Sequence, residues 1–143
     1  MNMNLSDLLK QERVRKVEPD ELQAAECIKL AERDIRIAKE MLGKDADWAF
    51  GVAYNSMLQA ARAVMFHDGF IAAGENQHKT VVDYSDAKFG TKLATLVRIF
   101  DDMRRKRNKL VYEKVGVVSD FEAKFAIKTA EEFLATLKEK IKR

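Results

Sequence analysis

WAFGVAYNSMLQAARAVMF, residues 48–66, decides the fold. Between Trp48 and Phe66 the only formal charge is Arg62, and apolar side chains occur all around a helical projection. A helix without a polar face has no side to offer water, so it belongs in the middle of a bundle or against another subunit. Asn55, Gln59 and Arg62 fall roughly on one line at helical spacing. Two readings of that line are open. It is either a polar strip turned to solvent or a hydrogen-bonded strip beside a site.

The neighbours of this helix can be read outward from its ends. Asp45 or Asp47 can cap its start, and Gly69 ends it. Upstream, Glu18-Pro19-Asp20 opens a long helix that runs to about Leu42 and stops at Gly43, with proline in the first helical turn. Downstream come a shorter helix from Asn76 to about Ala87 and a long one from Thr91 to about Tyr112. Gly116 then breaks the chain, and Ser119 caps a final amphipathic helix through Ile141. Residues 5–15 suit a short helix. With one proline and few β-branched runs, no sheet is expected. The predicted fold is all-α, an antiparallel up-and-down bundle of four to five main helices. Residues 1–18 form an N-terminal arm or short helix, and 19–143 a single bundle domain.

Composition sets the outer limits. Of the residues, 47% are hydrophobic and 34% charged, with the signs interspersed and a net charge of +3. That balance permits nucleic-acid binding without implying it, so any basic site must come from local clustering. The single cysteine, Cys27, precludes an intrachain disulfide and reads as a small buried apolar residue. No apolar run suits a signal peptide or a membrane span, which points to the cytoplasm. With two histidines and no Cys/His cluster, neither a metal site nor a cofactor is expected.

One residue lies in the wrong place. Leu93, Leu96, Phe100, Met103, Leu110 and Val111 form an apolar stripe, and each lies within about 60° of Arg107 at roughly 100° per residue. Arg105, Lys106 and Lys109 point elsewhere, and cations at a helix C-terminus are ordinary. A buried guanidinium needs a carboxylate, water or an anionic ligand. Asp34, the one acid on the widened inner face of the first long helix, is a candidate partner. The alternative is a polar pocket that holds Arg107 ready for phosphate, which its planar fork matches.

Four stretches, in order, resemble the HEPN family of helical bundles. Ala31-Glu32-Arg33-Asp34-Ile35, with the terminating Leu42-Gly43, resembles its first helix. Ala53 to Ala63 is similar to the central helix of one branch, Asn76-Gln77-His78-Lys79-Thr80-Val81 to its histidine-bearing segment, and Arg107 to Tyr112 to its arginine-x4-6-histidine signature. The likeness covers roughly residues 20 to 140. It implies a bundle that pairs into a homodimer. Many members are metal-independent endoribonucleases, often toxins encoded beside a minimal nucleotidyltransferase antitoxin. Others are non-catalytic modules that bind such a partner or nucleic acid.

The resemblance implies catalytic roles for Arg107 and Tyr112, phosphate or RNA contacts from Arg104, Asn108 and Lys109, and support from Asp34, Gln59, Arg62 and His78. Tyr112 stands where the signature has histidine, and Lys114 where a second tyrosine is usual. With a reference pKa near 10, tyrosine is a poor base at neutral pH but can donate a hydrogen bond to a phosphate or leaving oxygen. On a straight helix Tyr112 lies about 140° from Arg107. Gln59 occupies a position where the branch often has histidine. His78 is read either as an exposed helix-start residue or as a group that swings toward Arg107, and His67 as a dipole partner at a helix end.

Overall fold

The computed structural model describes residues 3–112 and 115–142, the side chain of Tyr112 excepted. Its helices are α1 (Leu5–Lys10), α2 (Glu21–Met41), α3 (Ala46–Asp68), α4 (Gln77–Phe89), α5 (Ala94–Tyr112) and α6 (Asp120–Ile141). A 3₁₀ turn, Gly90–Leu93, leads into α5. The stretch that is apolar all round becomes α3, which packs against α2, α4, α5 and α6. Alanines set the close approach to its two main partners: Ala24, Ala31 and Ala38 on α2, and Ala123, Ala126 and Ala130 on α6, are all buried. Tyr54, Phe100 and Phe133 link α3, α5 and α6 through tilted ring contacts, with centroids 5.8 and 5.3 Å apart.

Local chemistry explains the helix limits. Asp20 caps α2 by accepting from the Gln23 N–H at 3.0 Å. Pro19 therefore stands just outside the helix and not in its first turn, a correction to the sequence reading. Asp45 caps α3 by accepting from the Trp48 N–H. Asp47 is thereby free for another task, and its carboxylate accepts from the backbone N–H groups of Gly116 and Val118. Ser119 and Glu122 form a reciprocal capping box at the start of α6.

The expectation of no sheet is corrected by a small ribbon. The first helix stops at Lys10, and β1 (Val14–Lys16) pairs antiparallel with β2 (Phe70–Ala72), Arg15 opposite Ile71. Gly69 is the reason. It ends α3 with φ +89°, and a Cβ there would lie 2.7 Å from the Val17 carbonyl oxygen. Only glycine tolerates both the left-handed conformation and the close backbone. The Gly69 carbonyl accepts from the Val17 N–H at 2.9 Å, so the ribbon satisfies backbone groups that the end of α3 leaves open.

The N-terminal segment is packed into the bundle. Leu8 and Val14 are buried. Arg13 donates to the Thr80 hydroxyl at 3.2 Å and pairs with Asp83 at 2.6 Å, so the segment holds α4 at two points. Among the described residues, no helix is long and apolar enough to cross a membrane. Leu8→Ala is expected to cost about 2–5 kcal/mol, read as a lower urea midpoint at an unchanged slope. An unchanged midpoint would mean that residues 3–16 are a detachable arm.

Candidate functional site

The site grows from one buried phenol. Tyr54 sits on α3 with 1% of its surface exposed, and a buried tyrosine hydroxyl needs a partner. That partner is His78 in the first turn of α4, whose Nδ1 lies 3.1 Å from Tyr54 Oη. The Arg107 guanidinium of α5 stands 6.0 Å from the centre of the Tyr54 ring, at the outer reach of a cation–π contact. Three helices thus bring a phenol, an imidazole and a guanidinium together.

The Asp34–Arg107 pair is not formed. Asp34 is buried, but its carboxylate accepts from Arg33 at 2.9 Å and from the Asn55 amide at 2.8 Å. Arg33 is its sequence neighbour and reaches back from the rim. Asn55 approaches across the α2–α3 contact. The acid's demand is met without α5, and among the described residues Arg107 has no carboxylate partner. It lines a groove of about 640 Å³ between α2, α3 and α5, together with Asp34, Asn55 and Trp48.

Most of the other charges on α5 are neutralised. Arg104 and Arg105 both reach Asp101, and Arg105 also pairs with Asp102. Lys106 pairs with Glu122 of α6. Lys109 is exposed and lines a separate groove with Arg105 and Lys106, so the fold does not bring it to Arg107. Asn108 is half-buried. Val111, placed by the sequence in the apolar stripe, is 53% exposed because α5 is running past the end of the core there.

Electrostatics mark the same cluster. Burial raises the Tyr54 pKa to about 12, against the opposing pull of Arg104, Arg107 and Arg62. Burial lowers the His78 pKa, and Arg62, Arg107 and Arg104 lower it further. The phenol therefore stays neutral at physiological pH, and the imidazole is held toward its neutral, proton-accepting form.

The HEPN domain family profile matches residues 24–141, which includes α3, α4, α5 and the Tyr54–His78–Arg107 cluster. The chain belongs to the HEPN domain family. No curated protein and no solved structure matches it. HEPN domains are generally RNA-binding or RNase-like, and an arginine held over a polar buried pair is an arrangement that can receive a phosphate.

In this HEPN domain the sequence-predicted residues divide. His78 and Arg107 stand at Tyr54, and Arg104 and Arg62 are close enough to act on the charge of both Tyr54 and His78. Asp34 is a structural acid held by Arg33 and Asn55. Gln59 and Arg62 face a second pocket, farther along the face of α3 that carries Asn55. Tyr112 closes α5, and its side chain lies outside the described residues. His78 is half-buried and bonded, not an exposed helix start. His67 meets Glu21 at 2.6 Å, in the last turn of α3. The residue that sequence reasoning missed is Tyr54. Its signal was present, since a hydroxyl on a helix apolar all round must find a partner.

Two outcomes follow from these contacts. Arg107→Ala leaves stability within about 1 kcal/mol, whereas Asn55→Ala costs about 1–3 kcal/mol because it removes a donor from a buried carboxylate. Equal losses in thermal melts would contradict the assignment of Asp34. Separately, His78 binds fewer protons in the folded chain than in the unfolded one. Its contribution to stability is present above the unfolded value of 6.5 and is lost as the pH falls below it. An NMR titration of the His78 ring shows a midpoint below 6.5, raised toward it in Arg107→Ala.

Proposed function

We propose that this chain is an RNA-binding HEPN protein that acts as a metal-independent endoribonuclease, with Arg107 receiving the scissile phosphate. One observation carries the reading: a guanidinium without a carboxylate partner among the described residues stands over a hydrogen-bonded tyrosine–histidine pair. In the tautomer whose Nδ1–H donates to Tyr54 Oη, His78 Nε2 carries the lone pair. It takes the proton from a ribose 2′-hydroxyl as that oxygen attacks the adjacent phosphorus. The P–O5′ bond breaks, giving a 2′,3′-cyclic phosphate and a 5′-hydroxyl. Water protonates O5′, and the imidazolium returns its proton to the hydroxide left behind. Arg107 meets the charge that grows on the phosphoryl oxygens. Tyr112 keeps the role its place in the signature suggests, a hydrogen-bond donor to phosphate or leaving oxygen.

We further propose a homodimer. Trp48, Val111 and Val115 are 58%, 53% and 87% exposed and line the groove beside Arg107. Pairing across that face would cover them and place two Arg107 residues along one cleft. The alternative function is a non-catalytic module that docks a minimal nucleotidyltransferase, as in a toxin–antitoxin pair, or that binds nucleic acid without cutting it. Exposed Trp48 beside Asp45 in the groove favours a protein partner there.

Structured RNA incubated with the protein tests these readings. Cleavage should fall about 10²–10⁴-fold in His78→Ala, the range for loss of a general base. Arg107→Ala should weaken binding and reduce the log–log salt slope by about one. Binding without any cleavage would assign the chain to the non-catalytic reading. Sedimentation should give a dimer at micromolar concentration and a monomer for Trp48→Glu. A wild-type monomer would remove the dimer from the proposal.

A further inference from the structure

A second pocket, of about 300 Å³, lies between α2, α3, β2 and α4. Its polar groups are Arg62 and Gln59 from α3, Gln23 from α2 and Gln77 from α4, and its walls include Leu30, Phe66 and Phe70. Among the described residues, no aspartate or glutamate lines it. Arg62 is half-buried and has no carboxylate partner among the described residues. The Gln59 amide makes no hydrogen bond among them either. Gln77 donates from Nε2 to the Gly74 carbonyl at 3.1 Å, which fixes its amide and leaves its carbonyl oxygen to accept.

A guanidinium and amides with unused hydrogen-bonding capacity, on apolar walls, form a particular recognition set. A phosphate would satisfy Arg62 but set the fixed Gln77 carbonyl oxygen against an anion. A planar heterocycle with two adjacent acceptors and a neighbouring donor edge satisfies both. Guanine has that pattern: O6 and N7 accept from a guanidinium fork, and N1–H and N2–H donate to amide oxygens. Adenine presents a donor beside N7, so it meets the guanidinium with a single acceptor. The pocket lies at the small end of ligand sites, which suits one base. Proteins read single-stranded RNA by taking unstacked bases into such sites. Gln77, which lines the pocket, directly precedes His78 in the first turn of α4, so the pocket adjoins the cluster that would hold the phosphate.

We infer that the Arg62 pocket is a base-reading site that selects an unpaired guanine next to the phosphate held at Arg107. This rests on the RNA-binding reading above. The test uses fluorescein-labelled oligouridylate carrying a single guanosine, 7-deazaguanosine or adenosine, together with titration of the protein by 5′-GMP and 5′-AMP alone. The guanosine strand is expected to bind about tenfold tighter than the other two. Arg62→Lys and Gln59→Leu should abolish that preference while leaving affinity for plain oligouridylate unchanged. Arg107→Ala should weaken all strands alike and keep the ratio. Thermal melts establish that the variants are folded. Equal binding of the three strands, or a preference that survives Arg62→Lys, would overturn the inference. If no RNA binds but GMP does, and Arg62→Lys abolishes it, the pocket assignment stands and the RNA reading falls. If neither RNA nor GMP binds, both fall.

Discussion

Helix α3 is the constraint on which the rest of the structure depends. It presents apolar atoms in every direction, and α2, α4, α5 and α6 all pack on it. Each polar group it carries must then be answered locally, because water reaches little of it. The Ser56 hydroxyl donates to the Ala31 carbonyl at 2.8 Å, Asn55 donates to Asp34, and Tyr54 meets His78. Gln59 and Arg62 are answered by a pocket and not by a side-chain partner. The polar clusters of the molecule are thus assembled around the side chains of one helix.

The distribution of acids decides which cation remains available. Asp101, Asp102 and Glu122 pair with Arg104, Arg105 and Lys106 of α5. Asp34, the acid that faces the groove from α2, is already engaged by Arg33 and Asn55. Arginine cannot shed its proton, so Arg107 holds its charge beside the Tyr54 ring with room in front of it. The arrangement is asymmetric in energy as well. Removing a donor from Asp34 strands a buried carboxylate, while removing Arg107 strands nothing.

The small ribbon has a positional role. It joins the end of α3 to the start of α4, the turn that carries His78. Arg13, one residue before β1, grips α4 at Thr80 and Asp83. Asp83 is itself buried and has Arg13 and Lys79 beside it. The N-terminal segment therefore helps to fix the helix whose first turn reaches Tyr54. Gly69 permits this route, since a side chain there would collide with the Val17 carbonyl.

The sequence by itself determined the helices, their limits and the unusual position of Arg107. Helical period, caps and glycine stops are local, and local rules place α2 through α6 within a few residues. The central place of α3 in the bundle follows from its composition alone. The HEPN resemblance, read from four short stretches, agrees with the family match over residues 24–141. The tertiary structure alone decided which groups meet. That Asn55 and not Arg107 answers Asp34 depends on the α2–α3 approach, which the sequence does not state. That His78 turns inward to Tyr54 depends on a ribbon built from strands 54 residues apart by their paired Lys16 and Phe70. Short strands of three residues carry no periodic signal, and their pairing is a long-range contact. Partner choice between side chains is set by distances of a few ångströms across helix interfaces, and no spacing along one chain encodes those distances.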